Sequence, residues 1–415
     1  MTFRVADIRP LRLACVLVLI ALAAWHLRLS LLLQSEYSDR KVADPEVAYQ
    51  RNPRMLTWHG KQLHLVEADT AGAERLYRQA LAVNPVFIPA WLGLAELKND
   101  TGDRAAADRL LDRADQLTAE VNRYRWDKVL VAHQMGRRDI LERDLAWLAA
   151  EATGKTRDDA LRLAFSLWPE PAELMRVMGA DNLASLFHYA VRSRRVDEAA
   201  ILWAGLGETA AAQDRKQVAD FVELLLRQDR VEQAGAVWRQ VFGPEPLLHD
   251  GSFADKPLNT AFGWRLGKVQ GSSWRVAKGE GDEPARALRL QFNHLENIDF
   301  RHVSQIVPLT GGRAYRLTGQ WKSLSLTTDQ RPYLEVLGYK CTTEPARTEM
   351  IEPSQPWRTF SLDFTVPADC HAMTVQVRRK ASLQIDNQLG GELWLAELGL
   401  APTTIAIGPL EEVDQ

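Results

Sequence analysis

The 415-residue chain is longer than one ordinary hydrophobic core supports and has room for two or three domains. Hydrophobic residues make up 46% and charged residues 25%, a balance that favours folding and excludes long disordered stretches. With 51 Lys and Arg against 54 Asp and Glu, the net charge of −3 leaves no basic excess to neutralise a phosphate backbone, so no nucleic-acid partner is expected.

Leu13 to Trp25 is free of charge, and apolar character resumes after Arg28 with Leu29, Leu31, Leu32 and Leu33. Read as one helix over 13–33, the segment reaches roughly 30 Å, one bilayer core. His26 and Arg28 must then snorkel to an interface. Arg4, Arg9 and Arg12 precede the run, so the positive-inside tendency leaves residues 1–12 cytoplasmic and the rest outside. A cleaved export signal, with Ala21-Leu22-Ala23 as its processing site, leads to the same compartment. A buried soluble helix is the third reading. Cys15 is not a lipoprotein cysteine, because the hydrophobic region follows it. The expectation is a single-pass protein of a bacterial cytoplasmic (inner) membrane with its bulk in the periplasm.

Residues 34–69 read as a linker and first helix, and helical periodicity dominates 70–245. Ala73, Leu76, Tyr77, Ala80 and Leu81 fall on one helical face, and Asn84-Pro85 ends that helix. Ala90, Trp91, Leu94, Ala95 and Leu97 mark a second helix that stops near Gly102-Asp103. Ala107, Leu110 and Ala114 mark a third. The pattern A-x-x-L-Y-x-x-A-L-x-x-N-P, then A-W-x-x-L-A, then G-D-x-x-x-A resembles the tetratricopeptide repeat. Gly102 and Gly136 are 34 residues apart, the repeat's own length. Val196 to Ala199 with Trp203 recurs as Val231 to Ala234 with Trp238. Trp168-Pro169-Glu170-Pro171 interrupts the pattern, so 140–180 reads as degenerate helical pairs. The resemblance implies a solenoid that binds a partner protein. Trp91, Trp147, Trp203 and Trp238 are expected in its inter-helix core.

Composition changes at Gly243-Pro244-Glu245-Pro246. Period-two runs follow at Ala287–Phe292, Val303–Val307, Tyr315–Trp321, Tyr333–Tyr339, Trp357–Val366, Met373–Val377 and Leu393–Leu400. Such a series predicts an all-β antiparallel sandwich over 246–403, with a tail at 404–415. Asp250-Gly251-Ser252-Phe253 with Phe262-Gly263-Trp264, Val307 to Tyr315 around Gly311-Gly312, and Trp357 to Pro367 around Phe364 resemble pieces of jelly-roll carbohydrate-binding modules and their galactose-binding-like relatives. The first piece resembles their opening strand. Their closing strand often carries two carboxylates for a structural calcium ion. Here Leu393 to Leu398 carries Glu397 alone, which puts calcium in doubt. The fold class is thus multidomain: a transmembrane helix, an all-α repeat solenoid and a jelly-roll sandwich.

The resemblance implies a sugar site built from aromatic faces with polar edges. Arg316 and Gln320 alternate away from Tyr315, Leu317 and Trp321, and Tyr333 and Glu335 away from Leu334 and Val336. All four are therefore candidates for one non-core face, with Arg301 at its edge and Trp274 as a platform from a loop. The competing reading is a solvated sheet face. Cys341 and Cys370 are expected to pair in an oxidising compartment, with two buried free thiols as the alternative.

Nine histidines show no metal-ligand spacing, and no G-x-S-x-G, phosphate-cradling loop or catalytic-cysteine setting occurs. No cofactor is expected. A paired-carboxylate glycosidase leaves no local signature and stays open as a third function. The leading expectation is a non-catalytic membrane-anchored scaffold in cell-surface or exopolysaccharide production, its repeats holding a protein and its sandwich a glycan or protein. The second is a pure protein–protein assembly factor.

Overall fold

The computed structural model describes residues 52–118, 122–279, 283–385 and 387–403, together with Ala24. The expected span at 13–33 lies outside them, save that one residue. Among the described residues no helix is long and apolar enough to cross a membrane. Two compact units divide the chain at Leu167 and Trp168.

The first unit is a run of helices: α1 (Pro53–Leu65), α2 (Thr70–Val83), α3 (Ile88–Asp100), α4 (Arg104–Thr118), α5 (Arg125–Met135), α6 (Arg138–Glu151) and α7 (Gly154–Leu167). Their starts follow local chemistry. The side chains of Asn52 and Asp69 accept from the Arg54 and Gly72 amides at the heads of α1 and α2. Gly102 and Gly136 take φ of +85° and +70° at the turns after α3 and α5. Successive helices pack on one another, α1 on α2, α3 on α4 and α5 on α6. Tyr77, fully buried on α2, sits where α1 and α3 present Gly60 and Gly93. A Cβ at Gly93 would lie 2.6 Å from the Tyr77 ring, and one at Gly60 2.8 Å, so the ring needs both glycines.

The second unit begins with α8 (Pro171–Met178), α9 (Leu183–Arg192), α10 (Val196–Leu206), α11 (Arg215–Arg227) and α12 (Val231–Phe242). Phe187, Trp203 and Phe221 bring α9, α10 and α11 together, with ring centroids 5.2–6.1 Å apart. Trp203 and Trp238 are buried, whereas Trp91 and Trp147 are only half-buried, and Trp91 donates to the Pro85 carbonyl at 2.8 Å.

The rest of the unit is a two-sheet antiparallel sandwich of β1 (Arg265–Leu266), β2 (Ser272–Lys278), β3 (Arg286–Asn293), β4 (Phe300–Pro308), β5 (Ala314–Leu324), β6 (Tyr333–Gly338), β7 (Ala346–Arg347), β8 (Gln355–Thr365), β9 (Ala372–Arg379) and β10 (Gly390–Pro402). The first sheet has order β1-β4-β9-β6-β7 and the second β2-β3-β10-β5-β8. Alternate residues of both sheets, Leu288, Leu290, Val303, Leu317, Trp321, Val336, Val375 and Leu395 among them, interlock in one core. The composition break near 243–246 therefore lies inside a compact unit. The α11–α12 hairpin packs directly on the sandwich: Pro308 of β4 lies 3.3 Å from where a Gly235 Cβ would stand.

The piece expected as an opening strand, Asp250 to Trp264, is instead a series of turns, and only Arg265–Leu266 pairs as β1. Its chemistry explains the shape. Asp250 accepts from the Ala254 amide at 2.7 Å and the Asp255 amide at 3.1 Å, folding the chain back on itself. Gly251 faces the Leu398 carbonyl so closely that a Cβ would lie 1.8 Å from its oxygen. The Leu398 amide donates to Gly251 O at 2.9 Å, which stitches this segment to β10.

Candidate binding face

On β6, Leu334 and Val336 enter the core, so Glu335 and Tyr333 must point outward. The register carries that outward position across the whole first sheet. Glu335 stands opposite Arg347 on β7 and Gln376 on β9, Gln376 opposite Ser304 on β4, and Ser304 opposite Arg265 on β1. Five strands thus contribute one polar row: Arg265, Ser304, Gln376, Glu335, Arg347. Gln376 donates to Glu335 at 2.8 Å, which fixes the centre of the row.

Beside that row, Tyr333 stands opposite Arg378. Arg378 donates to both oxygens of Asp299, with Nη2 3.2 Å from Oδ2, and also to the Phe300 carbonyl. The hydrogen bond from Arg378 holds Asp299 below the usual carboxylate range despite partial burial. Tyr333 is 4% exposed and its hydroxyl has no hydrogen-bond partner among the described residues. Burial pushes its phenol upward, as does the Glu335 charge, against Arg378 and Arg347. A buried donor left unpaired costs free energy, on the order of 1–3 kcal/mol.

Sheet order separates the candidate residues. Tyr333 and Glu335 lie on the first sheet, with Arg301 exposed at a β4 irregularity between Phe300 and Val303. Arg316 and Gln320 lie on β5 of the second sheet, whose outer face points the opposite way. The four do not form one face, because period-two alternation tells core from surface but not one sheet from the other. Arg316 is held by Asp363 through two 2.6 Å hydrogen bonds, and Gln320 by Glu397 at 2.6 Å. Trp274 is not on a loop. It belongs to β2 and packs against the core.

Sequence reasoning missed Gln376 and Arg378, although alternation against Val375 and Val377 would have exposed them once β9 was placed beside β6. It also missed Trp394 on the outer face of the second sheet. Arg289 and Lys322 flank that ring, each 5.4 Å from its centroid, and pair with Glu392 and Glu283. Those contacts already occupy the ring. Cys341 and Cys370 are joined by a disulfide, with an S–S distance of 2.02 Å. Among the described residues, no group of three or more His, Cys, Asp or Glu can hold a metal ion.

No family model matches the chain, and no curated protein does. Among solved structures, it is similar to a family 16 carbohydrate-binding module at 14% identity, covering 38% of this chain and 99% of that one with a TM-score of 0.27. The module TmCBM61, solved with β-1,4-galactotriose, shares 14% identity over 39% of this chain and 97% of its own, at a TM-score of 0.24. Pseudomonas aeruginosa pilF shares 14% identity over 47% of this chain and 93% of its own, at a TM-score of 0.26. Likenesses at these scores assign neither ligand nor partner to this chain. The class its fold defines is a protein of packed helical hairpins followed by a two-sheet antiparallel sandwich.

Proposed function

We propose that this chain is a non-catalytic scaffold that binds a glycan on the outer face of the first sheet and a partner protein through its helical hairpins. The observation that carries the glycan reading is the polar row of Ser304, Gln376, Glu335 and Arg347 on four paired strands, beside Tyr333, with Arg265 at its end held by Glu223. Hydroxyl-rich ligands need alternating donors and acceptors at fixed spacing. Arg347, Glu335, Gln376 and Ser304 supply them on a rigid support. Within this reading the segment 13–33 anchors the protein, the bulk lies outside the cytoplasmic membrane, and the setting is cell-surface or exopolysaccharide production or export. The Cys341–Cys370 disulfide supports an oxidising compartment. The test is retention of the full chain on a panel of immobilised polysaccharides. Retention that Tyr333→Ala and Gln376→Ala each weaken, with unchanged circular dichroism, supports the reading, and no retention on any polysaccharide overturns it.

A second reading, a protein–protein assembly factor without sugar binding, has its own observation. Tyr333 is nearly buried and Trp394 is bracketed by cations, so neither ring offers the open stacking plane that many sugar sites use. It predicts capture of a protein partner that the Tyr333 and Gln376 substitutions leave intact.

A further inference from the structure

The two cysteines sit on loops that do more than close the sandwich. Residues adjoining Cys341 grip the end of α11. Lys340 Nζ donates to the Leu226 carbonyl at 2.6 Å and to Arg227 O at 3.3 Å, and lies 3.6 Å from the Asp229 carboxylate. Tyr339 OH reaches Leu226 O at 3.4 Å. These carbonyls end α11; Leu226 O also accepts from the Asp229 amide at 3.2 Å, and a lysine placed there adds a charged donor and favours the helix dipole. The residue after Cys370 meets the start of α12 at the surface, where His371 Nδ1 lies 3.1 Å from the exposed Glu232 carboxylate. Both sides of the α11–α12 turn are therefore held by residues one or two positions from a bridged cysteine. Gly338 is fitted to the bridge as well, since a Cβ there would lie 2.6 Å from Cys341 Sγ.

Cys341 borders a cleft while also packing against the sandwich core. A cleft of ≈ 380 Å³ opens between the hairpin turn and these loops, lined by Asp229, Glu232, Lys340, Cys341, Asp369 and His371. Cys341 is part-exposed, whereas Cys370 is fully buried.

We propose that Cys341–Cys370 is a site of thiol–disulfide exchange whose opening loosens the α11–α12 turn on the sandwich, while Glu223 and Trp238 keep the rest of the hairpin seated. The attacking group is the thiolate of a dithiol reductant, entering by the cleft. It bonds to Cys341 Sγ as the Cys341–Cys370 bond breaks, and the electron pair leaves on Cys370 Sγ, which then takes a proton. The reductant's second thiol attacks the mixed disulfide, frees Cys341 as a thiolate and closes the reductant's own disulfide. The reductant loses two electrons and the protein gains them. With the bridge open, the loops carrying Lys340 and His371 lose their covalent tie and are joined through the Tyr339 amide, which donates to Ala372 O at 3.1 Å, and the β6–β9 pairing that ends at Gly338 and Met373, so the frame behind the two contacts on the turn is weakened.

The experiment is hydrogen exchange on the full chain in a Cys15→Ser background, before and after dithiothreitol, with thiol titration to confirm reduction. The expected result is exchange at least tenfold faster in residues 224–234, with the central β3, β10 and β5 strands still protected. Lys340→Met, with the disulfide intact, should reproduce part of that loosening. A dithiol reductant whose resolving cysteine is replaced by serine should be trapped on Cys341. Unchanged exchange after confirmed reduction overturns the proposal, as does loss of protection throughout the sandwich, which would make the bridge a global staple. Resistance of the folded protein to dithiothreitol, or trapping on Cys370, overturns it too.

Discussion

Lys128 Nζ lies 2.6 Å from a carboxylate oxygen of Asp144, with the two side chains only 1% and 0% exposed. The pair is the centre of a network that ties α4, α5 and α6 together. Lys128 also reaches Asp115 at 2.6 Å and Thr118 Oγ1 at 2.8 Å, while Arg125 donates to Asp144 at 2.8 Å. Burial opposes ionisation of Asp115, but hydrogen bonds from Lys128 and Arg143 outweigh it and hold that carboxyl below its usual value. Removing one buried partner leaves the other charge uncompensated, whereas replacing both with apolar groups is often neutral. Asp144→Ala should therefore destabilise by about 3 kcal/mol, and Lys128→Met with Asp144→Leu should recover most of that loss. Urea denaturation of these two variants and the wild type checks it. A double variant as unstable as the single one would show that the network contributes more than compensation of charge.

Tyr77 supports a second prediction. Its ring fills the space left by Gly60 and Gly93, but its hydroxyl is buried without a hydrogen-bond partner among the described residues, and burial pushes the phenol upward. Gly93→Ala must shift the ring or α3 and should cost about 1–3 kcal/mol. Tyr77→Phe removes an unpaired donor and should be neutral or stabilising by up to about 1 kcal/mol. Opposite signs in thermal melts are the expected outcome, and a large loss for Tyr77→Phe would mean that the hydroxyl has a partner in solution.

Seven period-two runs in the sequence correspond to strands β3, β4, β5, β6, β8, β9 and β10, because in each of them alternate residues feed one core. The strands not foreseen are β1 and β7, two residues each, and edge strand β2, in which Trp274 and Val276 are only part-buried and no position is fully buried, so its alternation is weak. The helical stretch was similarly legible around Tyr77, where glycine, proline and large apolar residues all agree. The binding face was half legible. Outward position follows from alternation within one strand, but grouping Tyr333 with Gln376 rather than with Gln320 depends on pairing between β6 and β9, which are separated by more than thirty residues in sequence. The grip of Lys340 on Leu226 is longer in range still, and no periodicity reports it.

Glu223 gives a pH-dependent prediction. Its carboxylate accepts from Arg265 at 2.7 Å and from the Ala261 amide at 3.0 Å, joining α11 to the start of the sandwich. Burial works against the charged form, yet Arg265 and the Ala261 amide prevail and lower its pKa from 4.5. A folded-state value below the unfolded one gives stability that is present above pH 4.5 and fades as pH falls through the folded value. Wild type should therefore exceed Glu223→Gln in stability at pH 7, and the gap should narrow steadily between pH 5 and about pH 3. Denaturation midpoints across that range read it. A constant gap would mean that Glu223 acts through packing alone.

The two sheets make the glycan reading separable by mutation. If the first sheet's outer face binds sugar, Gln376→Ala and Arg347→Ala each remove a hydrogen-bonding group from the row and should weaken binding about tenfold. Tyr333→Phe, which keeps the ring and deletes the unpaired hydroxyl, should weaken it by a smaller factor. Arg316→Ala and Gln320→Ala alter the opposite face, where each residue is satisfied by Asp363 or Glu397, and should leave affinity unchanged. Titration calorimetry with a polysaccharide retained by the full chain distinguishes these outcomes. Loss of binding on Arg316→Ala with Gln376→Ala silent would move the site to the second sheet, beside Trp394. Equal loss from both sets would point to substitutions acting through stability rather than contact, which the melting temperatures of the same proteins would reveal.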